Sequence, residues 1–169
     1  MPVFQLPQLS AKNPITGNTI FHEAANDGSL ELLYHIRDYM QEPYYSILGE
    51  KNNDGDTCIH VAVKKHTGLH AISLVKVLVE LGADLNAKHG TSGYTPLLLS
   101  VWRGDHELVE WLCQQPGINM YPTIQTSMMV FLCAHLNGDQ RILEILLTAI
   151  DADDGNAGVS VTEISDENK

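Results

Sequence analysis

Two histidines stand at a spacing that could bind a metal ion. His66 and His70 form a His-x-x-x-His pair, which on a helix directs two ligands to one face, as in zinc proteases. No glutamate lies between them to act as a general base, and Gly68 would break a helix there. A surface loop therefore fits this segment better than a zinc site.

Three cysteines are the other reactive side chains, and they are odd in number and widely spaced. This pattern predicts reduced, mostly buried thiols rather than a disulfide framework: Cys58, Cys113 and Cys133. Phosphate-binding loops, nucleophile elbows and Cys-x-x-Cys pairs do not occur in the sequence. We therefore expect a protein that is not an enzyme, with no catalytic residue, no metal and no cofactor.

The composition limits the class of protein. The 169 residues are 44% hydrophobic and carry a net charge of −11, which repels the phosphates of a nucleic acid. The start MPVFQLPQLSAK has no signal-peptide pattern, and no Asn-x-Ser/Thr sequon or membrane-length apolar run follows. We expect a soluble domain of the cytosol or nucleus, with no direct nucleic-acid binding and no membrane binding.

A repeated pattern organises most of the chain. Thr19, Thr57 and Thr95 each follow a glycine by two positions and are spaced 38 residues apart, and Met129 takes the same place 34 residues later. The segments GDTCIHVAV and GYTPLLLSV, followed by LVKVLVELGADLN and RGDHELVEWL, resemble the ankyrin repeat. The resemblance implies an all-α ankyrin-repeat solenoid of about four helix-turn-helix repeats. We assign an N-terminal extension to residues 1–12, a repeat domain to 13–150 with repeats at about 13–50, 53–86, 91–119 and 124–150, and an acidic flexible tail to 151–169.

The residues of each repeat have distinct expected roles. Thr19, Thr57 and Thr95 stand where a hydroxyl can cap a first helix. The ankyrin resemblance implies that His22 and His60 hydrogen-bond the backbone of a neighbouring loop. Residues expected to be small, because adjacent helices press together there, are Ala24, Ala62, Ser100 and Ala134. Residues expected to give each second helix one buried face are Leu74, Val75, Leu78, Val79, Leu108, Val109, Leu112, Cys113, Ile142, Leu143, Leu146 and Leu147.

Two connections are longer than the repeat requires. The segment KKHTGLHAIS in the second repeat has about four extra residues, which we expect to bulge as a surface loop. The segment YMQEPYYSILGEKNN before that repeat is also long, and Pro43 is expected to end the preceding helix. Both segments are candidate partner contacts, and a tolerated insertion explains them equally well.

Residues 54–112 carry a more specific resemblance. The segments DGDT, HTGLHAISLVKVLVELGADLNA and KHGTSG resemble the central repeats of IκB proteins, the cytoplasmic inhibitors of NF-κB/Rel transcription factors. The four-repeat length, together with GNTIFHEAANDGSLELLYHIRDYM, resembles the truncated ankyrin proteins of polydnaviruses of the bracovirus type.

This resemblance implies a function. The protein would bind host Rel dimers, mask their nuclear-localisation and DNA-binding surfaces and suppress immune genes. We expect it in the host cytoplasm, and the sequence leaves open whether it acts in the cytoplasm or in the nucleus. The Asp-Ser-Gly degron of cellular IκB proteins does not occur in the sequence, so we expect resistance to signal-induced degradation. The alternative function is an ankyrin adaptor that recruits another protein. The sequence leaves the Rel partner, the affinity and the oligomeric state open.

Positions that vary within the repeat pattern are the candidate binding residues. They are expected on the concave face of the stack and on the fingers, which are the loops that join one repeat to the next. These residues are Glu23, Asn26, Asp27, Asp54, Asp56, Lys64, Tyr94, Trp102 and Arg103. Trp102 followed by Arg103 has the composition of a binding hot spot, and a partly packed Trp is the alternative. The acidic residues and the acidic tail suit a basic partner, such as the DNA-binding surface of a Rel dimer.

Overall fold

The protein is a stack of helices. A computed structural model describes residues 10–39, 45–120 and 124–156. All regular elements in these residues are helices: α1 (Ile20–Asp27), α2 (Leu30–Tyr39), α3 (Tyr45–Leu48), α4 (Cys58–Lys65), α5 (Gly68–Glu80), α6 (Pro96–Arg103), α7 (His106–Cys113), α8 (Ile124–Leu136) and α9 (Gln140–Asn156). The prediction of an all-α ankyrin-repeat fold is confirmed.

Each repeat is a pair of helices joined by a short turn. The pairs are α1 with α2, α4 with α5, α6 with α7, and α8 with α9. The first helices α1, α4, α6 and α8 pack side by side in that order, and the second helices α2, α5, α7 and α9 do the same. No pair can bury its apolar residues alone, so stacking creates one continuous core.

The start of each first helix follows the sequence prediction. Thr19, Thr57 and Thr95 are the N-cap residues of α1, α4 and α6, and the hydroxyl of Thr95 accepts a hydrogen bond from the backbone N–H of Leu98. Pro96 occupies the first turn of α6, where its missing N–H has no intrahelical partner to lose. Side-chain capping therefore fixes where these helices begin.

The core lies between the two layers of helices. All four small residues expected at the helix contacts are buried, and so are Leu78, Leu112 and Leu146. Val79 and Leu147 were expected on the buried face but are exposed, and Cys113 and Leu143 are only half-buried. The apolar stripe of the second helices is thus narrower than the pattern predicted.

The extra residues of the second repeat form helix rather than a loop. α5 has 13 residues, against 8 in α7, and only His66 and Thr67 separate it from α4. Gly68 was expected to break a helix, but it is the first residue of α5, with a φ of +57° that a glycine adopts without strain. The predicted surface bulge is therefore wrong, because the insertion adds a turn to the start of α5.

The chain around the repeats is described in part. Residues 40–44, which include Pro43, lie outside the described residues, and Leu48 of the short helix α3 is buried in the core. The last helix, α9, continues to Asn156. Residues 151–156, assigned from the sequence to the flexible tail, are therefore helical, and 157–169 lie outside the described residues.

Candidate protein-binding site

Two histidines hold neighbouring repeats together. The Nδ1 atom of His22 accepts a hydrogen bond of 3.2 Å from the backbone N–H of Thr19, so the ring proton is on Nε2. That Nε2 donates a 2.9 Å hydrogen bond to the carbonyl oxygen of Asp56. His60 makes the same pair of contacts, with Thr57 and with the carbonyl of Tyr94. The expected role of these histidines is confirmed.

The environment of these two rings keeps them neutral. Burial lowers the pKa of His22 and of His60, although hydrogen bonds to the carbonyls and the charge of Asp56 act in the opposite direction. A proton added to Nδ1 would also remove the acceptor of a backbone hydrogen bond. Both residues therefore serve the frame of the stack and are not available for binding a partner or for catalysis.

Different bonds join the third and fourth repeats. In the third repeat the position of the histidine is occupied by the buried Leu98. A leucine side chain cannot donate a hydrogen bond to a carbonyl oxygen of the next repeat. Instead, Nε2 of His106 lies 2.8 Å from the carboxylate of Asp139. Loss of solvation alone would raise the pKa of Asp139, but hydrogen bonds from His106 and the backbone N–H of Ile142 lower it. The Asp139 carboxylate thus joins two repeats and caps α9.

Asp56 belongs to the frame and not to the binding surface. The residue is only 4% exposed, and the ammonium of Lys64 donates a 2.7 Å hydrogen bond to its Oδ2. Its Oδ1 faces Nε2 of His89 at 3.6 Å. The prediction that Asp56 projects toward a partner is wrong, because Lys64 and His89 draw it inward.

The other predicted binding residues are exposed to different degrees. Asp27, Asp54, Trp102 and Arg103 are exposed, whereas Glu23, Asn26, Lys64 and Tyr94 are half-buried. Three of the half-buried residues also support local structure. Glu23 accepts a hydrogen bond from Asn18, Asn26 donates to Asp27, and the Tyr94 carbonyl accepts from His60. The residues that are free to contact a partner therefore lie mainly on two first helices and one finger.

Trp102 is the most prominent exposed side chain of this group. It lies on α6 with 63% of its surface exposed. A large apolar side chain that the fold leaves in water costs free energy, which contact with a partner can recover. The surface formed by α1, α4, α6 and α8, which we call the first-helix face, is therefore the candidate binding site.

Comparison with known proteins agrees with this architecture. A family model for ankyrin repeats, in three copies, matches residues 21–124. An I-kappa-B like protein, N2, of Microplitis demolitor bracovirus is 38% identical over 157 residues, which is 89% of this chain and 83% of the relative. This chain is an IκB-like ankyrin-repeat protein. Two further relatives from the same virus are I-Kappa-B like protein N3, 42% identical over 62% of this chain and 64% of the relative, and protein H1, 36% identical over 66% and 57%.

The IκB-like first-helix face includes residues that sequence reasoning did not select. Leu136 on α8 is 73% exposed, and Leu132, one turn earlier, is 47% exposed. Leu136 stands seven residues after Met129, as Trp102 stands seven residues after Thr95. The equivalence is hard to recognise in the sequence, because the fourth repeat is degenerate and has Met129 in place of the threonine.

The histidine pair of this IκB-like protein is placed differently from the sequence expectation. His66 and His70 approach with ring centroids 4.9 Å apart, and Nε2 of His66 lies 2.9 Å from the carbonyl oxygen of Ala25. The two rings pack on Gly28, where a Cβ atom would lie 2.6 Å from His70. His66 therefore ties α1 to the turn between α4 and α5.

Neither a metal site nor a membrane span is present in the described part of this IκB-like chain. Among those residues, no group of three or more His, Cys, Asp or Glu side chains is arranged to hold a metal ion. In the same residues, no helix combines the length and the apolar character that crossing a bilayer requires.

Proposed function

We propose that this protein binds NF-κB/Rel transcription factor dimers of a host and inhibits them by covering their nuclear-localisation and DNA-binding surfaces. Suppression of immune gene expression follows from that inhibition. The ankyrin-repeat family is a family of protein-interaction domains, and membership of the IκB-like group narrows the partner class. On this proposal the protein has no enzymatic activity and acts in the host cytoplasm, with the nucleus as a second location.

The observation that carries the proposal is the exposure of Trp102 beside Arg103 on the first-helix face. The hydrogen bonds of the repeat frame are made internally by the threonine caps and the histidines. Trp102 and Arg103 take no part in that frame and are both exposed. Tryptophan and arginine are the side chains most enriched at the energetic centres of protein interfaces.

The test is displacement of a Rel dimer from its DNA site. Purified protein is titrated into the Rel–DNA complex, and the fraction of bound DNA is followed by gel shift or fluorescence anisotropy. Displacement at a stoichiometric concentration supports the proposal. Intact DNA binding, together with no direct binding of Rel in a pull-down, would overturn it.

A double variant connects this activity with the site. Trp102→Ala with Arg103→Ala should weaken Rel binding at least tenfold, because it removes two side chains of the hot-spot class. Tyr34→Ala with Arg37→Ala, on the second helix α2, is the control for lost stability, since it removes an exposed aromatic residue and an arginine together with the ion pair between Arg37 and Glu80. Equal loss in both variants would assign the effect to stability rather than to the site.

Two further expectations are separable from Rel binding. Because Asp-Ser-Gly does not occur in the sequence, the amount of protein in stimulated immune cells should stay constant while cellular IκB declines. An adaptor that recruits another host protein is the second candidate function. It would show binding to a partner without displacement of Rel from DNA.

A further inference from the structure

Equivalent positions of the four repeats form rows across the first-helix face. The residues seven positions after the anchors Thr19, Thr57, Thr95 and Met129 are Asn26, Lys64, Trp102 and Leu136. The next residues in each repeat are Asp27, Lys65, Arg103 and Asn137. Since the first helices pack side by side in order, each residue of a row lies beside its equivalents in the adjacent repeats.

The apolar members of the first row are neighbours. Trp102 and Leu136 belong to α6 and α8, which pack against each other, and both side chains are more than 60% exposed. Helices in contact have axes about 8–10 Å apart, so one apolar side chain of a partner can reach both residues. Trp102 and Leu136 therefore form an exposed apolar patch on repeats three and four, which we call the apolar step. The equivalent residues of repeats one and two, Asn26 and Lys64, are polar.

The charged members of the second row change sign along the stack. The first repeat has Asp27, whereas the second and third have Lys65 and Arg103, all of them exposed. Within the described residues, neither Lys65 nor Arg103 takes part in an ion pair, whereas the adjacent Lys64 forms one with Asp56. Two unpaired cations at equivalent positions of adjacent repeats repel each other in a chain whose net charge is −11.

Those cations flank the apolar step. Arg103 follows Trp102 directly, and Lys65 holds the equivalent position at the end of the adjacent helix α4. Arg103 also lines a pocket with Asp105, Glu107 and Arg141. An anionic group on the partner would lower the repulsion among these cations further, and the same partner segment could cover Trp102 and Leu136.

We infer that this surface, formed by Lys65, Trp102, Arg103 and Leu136, binds a segment of the partner that carries an apolar or aromatic side chain next to aspartate or glutamate. The inference rests on the proposed function and refines it. The acidic residues of the first repeat and the finger suit basic surfaces of a Rel dimer, whereas the surface from Lys65 in the second repeat to Leu136 in the fourth takes an acidic, apolar segment of the same partner. Because Asp27 and Arg103 carry opposite charges, the partner has a preferred direction along the stack.

Photo-crosslinking tests the chemistry of the segment directly. Leu136 is replaced by a photoreactive phenylalanine analogue, the variant is bound to a Rel dimer, and the crosslinked peptide is identified by mass spectrometry. The expected peptide contains Asp or Glu within a few residues of the attachment point. Attachment to a Lys- and Arg-rich peptide, such as the nuclear-localisation segment, would overturn the inference while leaving Rel binding itself established.

Charge variants supply an independent readout. Arg103→Glu should weaken Rel binding at least tenfold, and Lys65→Glu should weaken it in the same direction. Lys76→Glu makes the same charge change at an exposed position of the second helix α5 and should leave affinity within about twofold. Melting temperatures identify any variant that fails to fold, and Arg103→Gln provides a milder replacement.

The outcomes separate the two proposals. If wild-type protein fails to bind Rel, the proposed function is wrong, whatever the variants do. If wild type binds and Arg103→Glu binds equally well or more tightly, the acidic segment is wrong and the proposed function stands.

Discussion

The Nε2 atom of His60 donates a hydrogen bond of 2.9 Å to the carbonyl oxygen of Tyr94, 34 residues further along the chain. The same carbonyl also accepts a 2.8 Å hydrogen bond from the backbone N–H of His89. One buried imidazole thus fixes the base of a finger and the start of the next repeat. The candidate binding residues on α6 depend on this bond for their position.

Truncation of the buried leucine row should destabilise the whole stack. Leu112 is fully buried, so Leu112→Ala should lower the free energy of unfolding by about 2–5 kcal/mol. Leu147→Ala is the control, since its side chain is 55% exposed and should change stability by less than about 0.5 kcal/mol. Urea unfolding followed by circular dichroism measures both, and similar values for the two variants would contradict the assigned register.

Stability should fall on mild acidification because of His22 and His60. Both have a pKa lowered by burial from the ordinary value of 6.5, so below that pH the unfolded chain binds protons that the folded chain refuses. Their contribution to the free energy of unfolding is complete above pH 6.5. As the pH falls below that value, the free energy of unfolding decreases by at most about 1.4 kcal/mol per histidine for each pH unit.

The measurement is the melting temperature at pH 7.5 and at pH 5.5. The double variant His22→Gln with His60→Gln should have a lower melting temperature than wild type at pH 7.5. Its melting temperature should also fall by fewer degrees between pH 7.5 and pH 5.5. His135→Gln, at an exposed position, is the control. An unchanged acid response in the double variant would assign the response to other groups.

A side chain at position 68 should strain the start of α5. The left-handed φ of Gly68 costs other residues about 1–2 kcal/mol, and an added Cβ would lie 2.7 Å from Oε2 of Glu107. Gly93→Ala has a similar φ of +69° with open space around it, so it measures the backbone cost alone. Gly68→Ala and Gly93→Ala should cost about the same in chemical unfolding, because the Glu107 carboxylate is the exposed end of a flexible side chain and can move away from the added Cβ. A clearly larger cost at position 68 that vanishes in a Glu107→Ala background would show that Glu107 is held in place.

Cys58 and Cys113 should react slowly with iodoacetamide at pH 8, and native Cys58 should not react at all. Burial raises the pKa of Cys58 to about 12 and that of Cys113 to about 11, so very little thiolate forms at either. Cys58 is also inaccessible, and mass spectrometry should detect its modification only after denaturant is added. Rapid labelling of native Cys58 would show that the second repeat opens locally.

Removal of residues 157–169 should weaken displacement of Rel from DNA without changing the melting temperature. This segment contains Glu163, Asp166 and Glu167, so its deletion makes the chain less negative. Salt should slow the association of the full-length protein with a basic Rel surface more than it speeds dissociation. Deletion from position 151 is a poor test, because it also cuts α9. Equal displacement by the full-length and shortened proteins at low and high salt would contradict a role for the tail.

The sequence predicted those features that depend on local spacing. The threonine caps and the paired helices follow from residues within one repeat, and the histidine bonds follow from the ankyrin resemblance. The burial of Asp56 depends on Lys64 and on His89 of the next finger, which no local pattern reveals. Gly68 misled the prediction because a glycine that starts a helix and one that interrupts it look alike in sequence. Leu136 was missed because its repeat has lost the anchoring threonine.

The bonds between repeats also determine how the molecule would yield to mechanical force. Among the described residues, histidine-to-carbonyl bonds connect the first three repeats, whereas a hydrogen bond between His106 and Asp139 connects the third and fourth, together with packing. Under a pull on the two ends, acid that protonates Asp139 would therefore lower the force needed to separate the third and fourth repeats. The mechanical strength of the end next to Trp102 thus depends on the ionisation of a carboxylate.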